Sequence, residues 1–266
     1  MKISKFSLWL TPVIVLLVII ASGAGLLVKD IYAEETLPWT VQAYGQDIAN
    51  LVAAAALLVA AYFVSKGSAR AYLVWIGVLL SLLYPYVIYA FDIYFNSLFL
   101  VYVALVGLIF YTLVSSILRL RLDEASFTAN RRAKVVGGFL LGVAVLFYLL
   151  WLSEDIPALL TGSIPPTVLQ NGLLTNPVHV LDMALYLPAM MLTAILLWRR
   201  KFLGYVLALP MLVFNILTGI GILAMFLVMS SQGMATSLGV ELLFAVIVLA
   251  SLVLSVLYLK EMVITQ

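Results

Sequence analysis

Eight long apolar stretches constrain this chain more than any other feature of its sequence. A helix needs roughly 20 predominantly apolar residues to cross the hydrocarbon core of a bilayer. Stretches of about that length lie at 8–28, 47–65, 71–92, 97–118, 135–152, 178–198, 202–229 and 238–259. Only 10% of the residues are charged, whereas soluble domains have about 25%. The sequence therefore predicts an all-α fold, a polytopic transmembrane helical bundle with eight spans.

The basic residues predict how this bundle is oriented. With eight spans, thirteen of the fourteen Lys and Arg residues fall on one side of the membrane, and Lys29 falls on the other. Basic loops remain in the cytoplasm, so the pattern predicts a multi-pass plasma-membrane protein with both termini cytoplasmic. Lys2, Lys5 and the small residues at 22–24 leave open a cleaved signal peptide, although the first stretch has the length of a full span.

The polar loop at 119–134 divides the chain into two halves of four spans, 1–126 and 127–266. In each half an aspartate early in a span, Asp47 or Asp182, is followed nineteen residues later by a lysine, Lys66 or Lys201. Halves with an even number of spans have the same orientation, so a repeat would be parallel about an axis along the membrane normal. We therefore consider two parallel four-helix repeats.

Ionisable and tyrosine side chains near the outer ends of the spans are the candidate ligand-binding residues. Such groups are costly within a membrane and are functional candidates for that reason. Helical spacing places His179, Asp182 and Tyr186 on one face. The full predicted set is Asp92, Asp182, Tyr89, Tyr186, His179, Asp47 and Glu241.

Some of these residues have an ordinary structural alternative. Asp47, Asn96 and Glu241 could cap helix N-termini or complement the helix dipole there. His179 could be an interfacial side chain bonded to a neighbour. Asp92 and Asp182 fit those roles less well, because Asp92 ends its span and Asp182 lies a turn inside its own.

Residue content excludes several chemistries. The chain has no cysteine and one histidine, which excludes disulfides, thiolate catalysis and multi-histidine metal sites. No mid-span lysine, HExxH, GxSG or Walker A pattern is present, so we predict no catalytic residues, metal or cofactor. The expected partners are the lipid bilayer and a small-molecule or lipid ligand, and no nucleic acid. An oligomer could form through the GxxxG face of Gly138 and Gly142.

Three regions carry a resemblance to a known group of proteins. They are YAF at 89–91 with FNSLFLVY at 95–102, VLD at 180–182 with PAM at 188–190, and LWRRK at 197–201 with GYVL at 204–207. Together they resemble a family of prokaryotic polytopic integral membrane proteins without an assigned activity, over about residues 46–230. The resemblance implies the membrane fold and no catalytic or binding residue.

These observations support three functional hypotheses. The first is a small-molecule transporter or ligand-binding membrane protein with a polar pocket in its outer half, in which Asp92 and Asp182 act together. The second is an intramembrane enzyme acting on a lipid or isoprenoid substrate, with His179 and the carboxylates as acid, base or metal ligands. The third is a non-catalytic accessory subunit of a larger membrane assembly.

Overall fold

The computed structural model describes residues 5–118 and 132–261, and the regular structure in these ranges is helical. The α-helices are α1 (Lys5–Leu27), α2 (Leu37–Ser65), α3 (Ala69–Asp92), α4 (Phe99–Leu118), α5 (Ala133–Thr161), α6 (Pro166–Asn171), α7 (Pro177–Leu181), α8 (Leu187–Trp198), α9 (Phe202–Ser231) and α10 (Leu238–Glu261). A 3-10 turn at Lys29–Tyr32 precedes α2, and a π-turn at Asp182–Tyr186 joins α7 to α8. The predicted boundary between the halves, and the bases Lys2, Arg119, Arg121 and Arg131, lie outside these ranges.

Eight helical segments within the described ranges are long and apolar enough to cross a membrane. The sixth of them consists of α7, the π-turn and α8 together. Their outward side chains include many large apolar groups, for example Val52, Leu149 and Leu249. An apolar surface of this extent suits lipid rather than water. The predicted all-α bundle with eight spans is confirmed, and the chain is a multi-pass membrane protein.

Helix α9 is the centre of the bundle. It packs against α2, α3, α8 and α10 and also touches α5. The close approach of α2 depends on Gly45, because a Cβ at that position would collide with the backbone of Met225 on α9. Small residues are typical of such crossings in membranes, where close van der Waals packing drives helix association.

The two halves of the chain have a similar order of helix neighbours. In the first half, α1 and α3 each pack against both α2 and α4. In the second half, α5 packs against α8, α8 against α9, and α9 against α10, which also reaches α5. The halves meet where α9 contacts α2 and α3. This order is compatible with two repeats, which remain a prediction.

The connections between helices collect at two ends of the bundle. We call one the acidic end: it holds segments 28–36, 93–98, 162–176 and 232–237, and its acids are Asp30, Glu34, Glu35, Asp92, Glu154, Asp155 and Glu241. We call the other the basic end: it holds segments 66–68 and 199–201, and its described bases include Lys66, Arg70, Arg132, Arg199, Arg200 and Lys201. This separation is the pattern from which the orientation was predicted.

Two spans extend further toward the acidic end than the apolar pattern indicated. Helix α2 begins at Leu37 rather than at 47, and Thr36 caps it by accepting a hydrogen bond from the Trp39 amide (3.4 Å). Helix α5 continues to Thr161 rather than ending at 152. Asp47 is therefore an interior residue of α2, and capping of that helix is not its role.

The long connection after α5 covers the start of α2. Glu154 accepts hydrogen bonds from the amide and hydroxyl of Thr167 (2.8 and 2.7 Å), which fixes the start of α6. At the other end of α6, Asn171 accepts from Thr36 through its carbonyl (2.9 Å) and from Gln42 through its side chain (2.9 Å). The two halves are thus joined by hydrogen bonds at the acidic end.

Gly138 and Gly142 face open space on α5, since a Cβ added to either would meet no described atom within 4 Å. Their GxxxG face is accordingly not used to pack helices within the described part of this chain. An oligomer through that face remains a prediction.

Candidate functional site

A cavity of about 340 Å³ lies in the acidic-end half of the bundle, next to α9. Helices α2 and α3 form one wall, while α5, the α7–α8 segment and α10 form the other. The lining residues are Trp39, Gln42, Ala43, Gln46, Tyr84, Pro85, Ile88, Tyr89, Ile93, Val143, Phe147, Trp151, Val178, Asp182, Leu187, Met190, Phe214, Asn215, Thr218, Gly219, Ile222, Met225, Phe226, Met229, Val240, Phe244 and Ile247. The volume lies in the range of small-molecule sites.

The lining is largely apolar, with polar groups at a few places. Among the described lining residues, Asp182 is the charged one. Two of the polar lining side chains, Trp39 and Asn215, carry a buried N–H group with no hydrogen-bond partner in the described part of the chain. Buried donors are normally bonded, so these two groups are exceptions within the cavity wall.

Asp182 is held in place by the aromatic side chains on either side of it. Its Oδ2 accepts a hydrogen bond from the indole N–H of Trp151 on α5 (2.9 Å). Tyr84 on α3 lies close to the same carboxylate. The carboxylate therefore connects helices from both halves of the chain at the cavity wall.

The π-turn that carries Asp182 lies immediately before Pro188. Proline has no N–H and its ring crowds the carbonyl four residues earlier, so the regular ladder loses a hydrogen bond here. The helix widens instead, and the Leu187 amide bonds the Asp182 carbonyl. The Met183 carbonyl is then without a helical donor, and the Tyr148 hydroxyl supplies one at 2.6 Å. Such π-turns occur frequently at functional sites.

His179 does not line the cavity but packs against Trp151, which bonds Asp182. It is 3% exposed, and its Nδ1 lies 3.0 Å from Oδ1 of Asp155 on α5. Its ring stacks on Trp151 with the ring centroids 4.4 Å apart. Trp151 thus contacts His179 with its ring face while it donates to Asp182. The hydrogen bond to a neighbour that was considered for His179 is present, but the residue is buried rather than interfacial.

Tyr186 packs against residues that line the cavity. Its ring stacks on Phe214 of α9 (4.4 Å) and meets Tyr84 edge to face (5.1 Å), and both of these partners line the cavity. Its hydroxyl donates to the carbonyl of Leu80 (3.3 Å). Tyr186 therefore fixes the aromatic side chains beside Asp182 without lining the cavity.

Asp47 forms a second buried polar cluster on the α1 side of the bundle. It is 0% exposed and accepts hydrogen bonds from the hydroxyls of Tyr32 (2.7 Å) and Tyr89 (3.2 Å). Gly25 leaves the room for this carboxylate, because a Cβ there would collide with it. Burial raises the pKa of Tyr32, and the neighbouring Tyr89 and Asp47 raise it further. Tyr89 also lines the cavity and so links it to Asp47.

Asp92 and Glu241 lie apart from these two groups. Asp92 does not line the cavity; its carboxylate is near Glu35, which accepts a hydrogen bond from the Tyr94 amide (2.7 Å). Burial raises the pKa of Glu35 and the charge of Asp92 adds to this, while the Tyr94 hydrogen bond opposes it. Glu241 lies in the first turn of α10, beside the lining residue Val240. The cavity therefore does not bring Asp92 and Asp182 together.

The capping interpretations can be compared with these positions. Asn96 accepts a hydrogen bond from the Leu98 amide (2.9 Å) just before α4, as a capping residue does. Glu241 is placed to complement the dipole of α10. Of the predicted set, Asp182 and Tyr89 line the cavity directly, and Asp47, Tyr186 and His179 contact lining residues.

The sequence did not identify Trp151, Asp155 or Tyr32 as part of the site. Trp151 and Asp155 are four residues apart and so share a helical face, but they lie at the end of the predicted span and beyond it. Tyr32 lies in the connection between two spans, where the sequence shows no helical periodicity. A helix continued to Asp155 would have placed that acid on the same face as Trp151.

No protein-family model matches the chain, and comparisons with curated proteins and with solved structures found no match. Across residues 5–118 and 132–261, no group of three or more His, Asp or Glu side chains could hold a metal ion. The resemblance noted from short stretches of sequence remains a prediction.

Proposed function

We propose that this protein binds a small, largely apolar molecule within the membrane and carries it across the bilayer. The observation that supports this most is the cavity, in which one fixed carboxylate lies in a lining that is otherwise mainly apolar and aromatic. Pockets of this composition bind small molecules through apolar contact and orient them by a few polar groups.

The helices around the cavity support movement of the ligand. The span that carries Asp182 is interrupted by the π-turn, and Pro85 and Pro210 each remove one backbone donor within the continuous helices α3 and α9. Interrupted helices around a membrane cavity are common in transporters. We place the cavity in the outer half of the plasma membrane, since the basic end corresponds to the cytoplasmic side by the positive-inside rule.

A cavity-filling variant tests the binding proposal. Thr218 lines the cavity on α9, and Leu227 on the same helix is 73% exposed. The wild type, Thr218→Trp and Leu227→Trp would be purified in a mild detergent and examined by native mass spectrometry. We expect a bound small molecule in the wild type and Leu227→Trp and its loss in Thr218→Trp. Equal occupancy in all three proteins, or none in any of them, would contradict the proposal.

Transport is tested separately from binding. The molecule released from the wild type would be identified and offered to proteoliposomes containing the wild type, Asp182→Asn or Asp92→Asn. We expect accumulation with the wild type and Asp92→Asn and a loss with Asp182→Asn, because Asp92 does not line the cavity. Binding without accumulation in any liposome would identify a receptor or accessory protein instead of a carrier.

The second candidate is an intramembrane enzyme, and the His179–Asp155 pair is what favours it. A histidine oriented by a carboxylate is a frequent general base, and Trp151 connects this pair to Asp182 at the cavity wall. An enzyme would change the mass of the bound molecule with time, and His179→Ala would stop that change. An unchanged mass with the wild type would remove this alternative.

A further inference from the structure

We propose that the cavity recognises an organic cation, that is, an ammonium group on a compact apolar or aromatic body. This inference rests on the proposed function, because it names the chemical class of the ligand that the cavity takes.

The balance of charge at the cavity is the first argument. Asp182 lines it, whereas no Lys, Arg or His of the described chain does. A carboxylate surrounded by apolar groups is costly unless it is paired. Its hydrogen-bond donor, Trp151, is uncharged, and His179, one turn before Asp182, is already bonded to Asp155. A ligand with a positive charge supplies the missing counter-charge, whereas an anionic ligand would add a second unpaired negative charge.

The aromatic side chains near Asp182 are the second argument. Trp151 packs against Phe147 (5.7 Å between ring centroids), which continues to Phe244 (5.6 Å). On the opposite side, Tyr84 packs against Phe214 (5.8 Å). All five rings line the cavity. Ring faces attract ammonium groups, most strongly where water is excluded, so the walls and the carboxylate favour the same charge.

The surroundings of Asp182 are the third argument. Trp151 on α5 donates a hydrogen bond to the carboxylate and Tyr84 on α3 lies close to it, so two helices position it before a ligand arrives. The π-turn is itself stabilised by Tyr148. A preorganised charge loses little freedom on binding, and this is the arrangement expected of a recognition group rather than of a solvated surface acid.

A matched pair of probes tests the charge of the ligand. Benzyltrimethylammonium and its neutral isostere neopentylbenzene differ in the charge of one central atom and have nearly the same shape. Each would be titrated calorimetrically into full-length protein in detergent micelles, with empty micelles as the blank. We expect wild type to bind the cation at least about tenfold more tightly than the isostere.

Variants identify the group that recognises the charge. Asp182→Asn should weaken binding of the cation by about tenfold or more and leave binding of neopentylbenzene unchanged. Asp92→Asn, which alters an acid away from the cavity, should bind both probes as the wild type does. If Asp182→Asn does not fold, Trp151→Phe keeps an aromatic ring but removes the indole donor, and it should reduce the preference for the cation.

The outcomes separate this inference from the proposed function. Equal affinity of the wild type for both probes, unaffected by Asp182→Asn, would overturn the cation inference and leave an apolar binding site. Absence of binding by both probes would overturn the cation inference as well, and the mass-spectrometry result with Thr218→Trp would then decide the proposed function alone.

Discussion

The Tyr148 hydroxyl is important at the residue scale because it completes the hydrogen bonds of the π-turn. The Met183 carbonyl has no helical donor, since the Leu187 amide bonds Asp182 and Pro188 has no N–H. Within a membrane, water is not present to replace a missing donor. Tyr148 therefore contributes more than a typical tyrosine hydrogen bond to a backbone carbonyl.

The pair Tyr148→Phe and Tyr258→Phe tests this difference. Tyr258 also donates to a backbone carbonyl, that of Tyr205 (2.7 Å), but this carbonyl lies within α9, where the residue four positions on, Leu209, carries a backbone N–H. We expect Tyr148→Phe to lower the free energy of unfolding by about 1–3 kcal/mol and Tyr258→Phe by about 1 kcal/mol or less. Thermal unfolding in detergent, followed by circular dichroism, measures both; equal losses would contradict the argument.

Glu35 gives a prediction about pH. Burial raises its pKa in the folded protein above the value in the unfolded chain, so the folded state favours the protonated form. Glu35 then contributes stability below its unfolded pKa, about 4.3, and this contribution is lost as the pH rises through the folded pKa. We expect Glu35→Gln to unfold at a higher temperature than the wild type near pH 7, with the difference disappearing in acid.

The exposed neighbour Glu34 is the control for that experiment. Glu34→Gln should follow the wild type across the same range of pH. A stabilisation by Glu35→Gln that persisted unchanged in acid would show that lost hydrogen bonds or packing, rather than proton binding, explain the effect.

At the scale of the helices, α2 and α9 cross at Gly45, which has no side chain. Gly45→Ala would push its Cβ against the Met225 backbone, which cannot move without displacing α9. We expect a loss of about 1–3 kcal/mol or more in unfolding free energy. Gly138→Ala on α5 is the matched control, because its Cβ meets open space, and alanine should stabilise that helix by about 0.5–1 kcal/mol. Thermal unfolding of both variants measures this, and equal effects would contradict the crossing argument.

Hydrophobic length predicted which segments are helical, because each span must satisfy its backbone hydrogen bonds internally. It did not predict where α2 begins or where α5 ends, both of which are at the acidic end of the bundle. Residues 37–46 and 153–161 contain polar groups that the apolar pattern excludes, and helix is maintained there by contacts such as Thr36 with Asn171 and Glu154 with Thr167. These contacts join segments far apart in the chain, so local sequence does not contain them.

The same limitation explains which site residues could be predicted. Helical spacing predicted His179, Asp182 and Tyr186 on one face, and the structure has a π-turn from Asp182 to Tyr186 within that segment. Their partners Trp151 and Tyr84 come from other helices, and one sequence does not specify which helices are neighbours. Capping was an open alternative for Asp47 because the apolar pattern begins that span at 47, whereas α2 begins at Leu37 and the structure buries Asp47 against Tyr32 and Tyr89.

At the scale of the whole molecule, charge is separated between the two ends of the bundle. Lys66 and Lys201 lie in exposed turns at the basic end, while Glu34 and Thr161 are exposed at the acidic end. During insertion, short loops rich in Lys and Arg remain in the cytoplasm, and acidic residues contribute little to orientation. The distribution of bases therefore predicts that the acidic end, with the cavity near it, faces outward.

Single-cysteine labelling tests this orientation on a chain that has no native cysteine. Cysteine would be introduced singly at Glu34, Thr161, Lys66 and Lys201, and intact cells would be treated with a membrane-impermeant maleimide. We expect labelling at Glu34 and Thr161, and labelling at Lys66 and Lys201 only after the membrane is permeabilised. Each substitution is at an exposed position, so all four variants should fold. The reverse pattern on intact cells would place the cavity toward the cytoplasm, and labelling at both ends would contradict the proposed number or arrangement of spans.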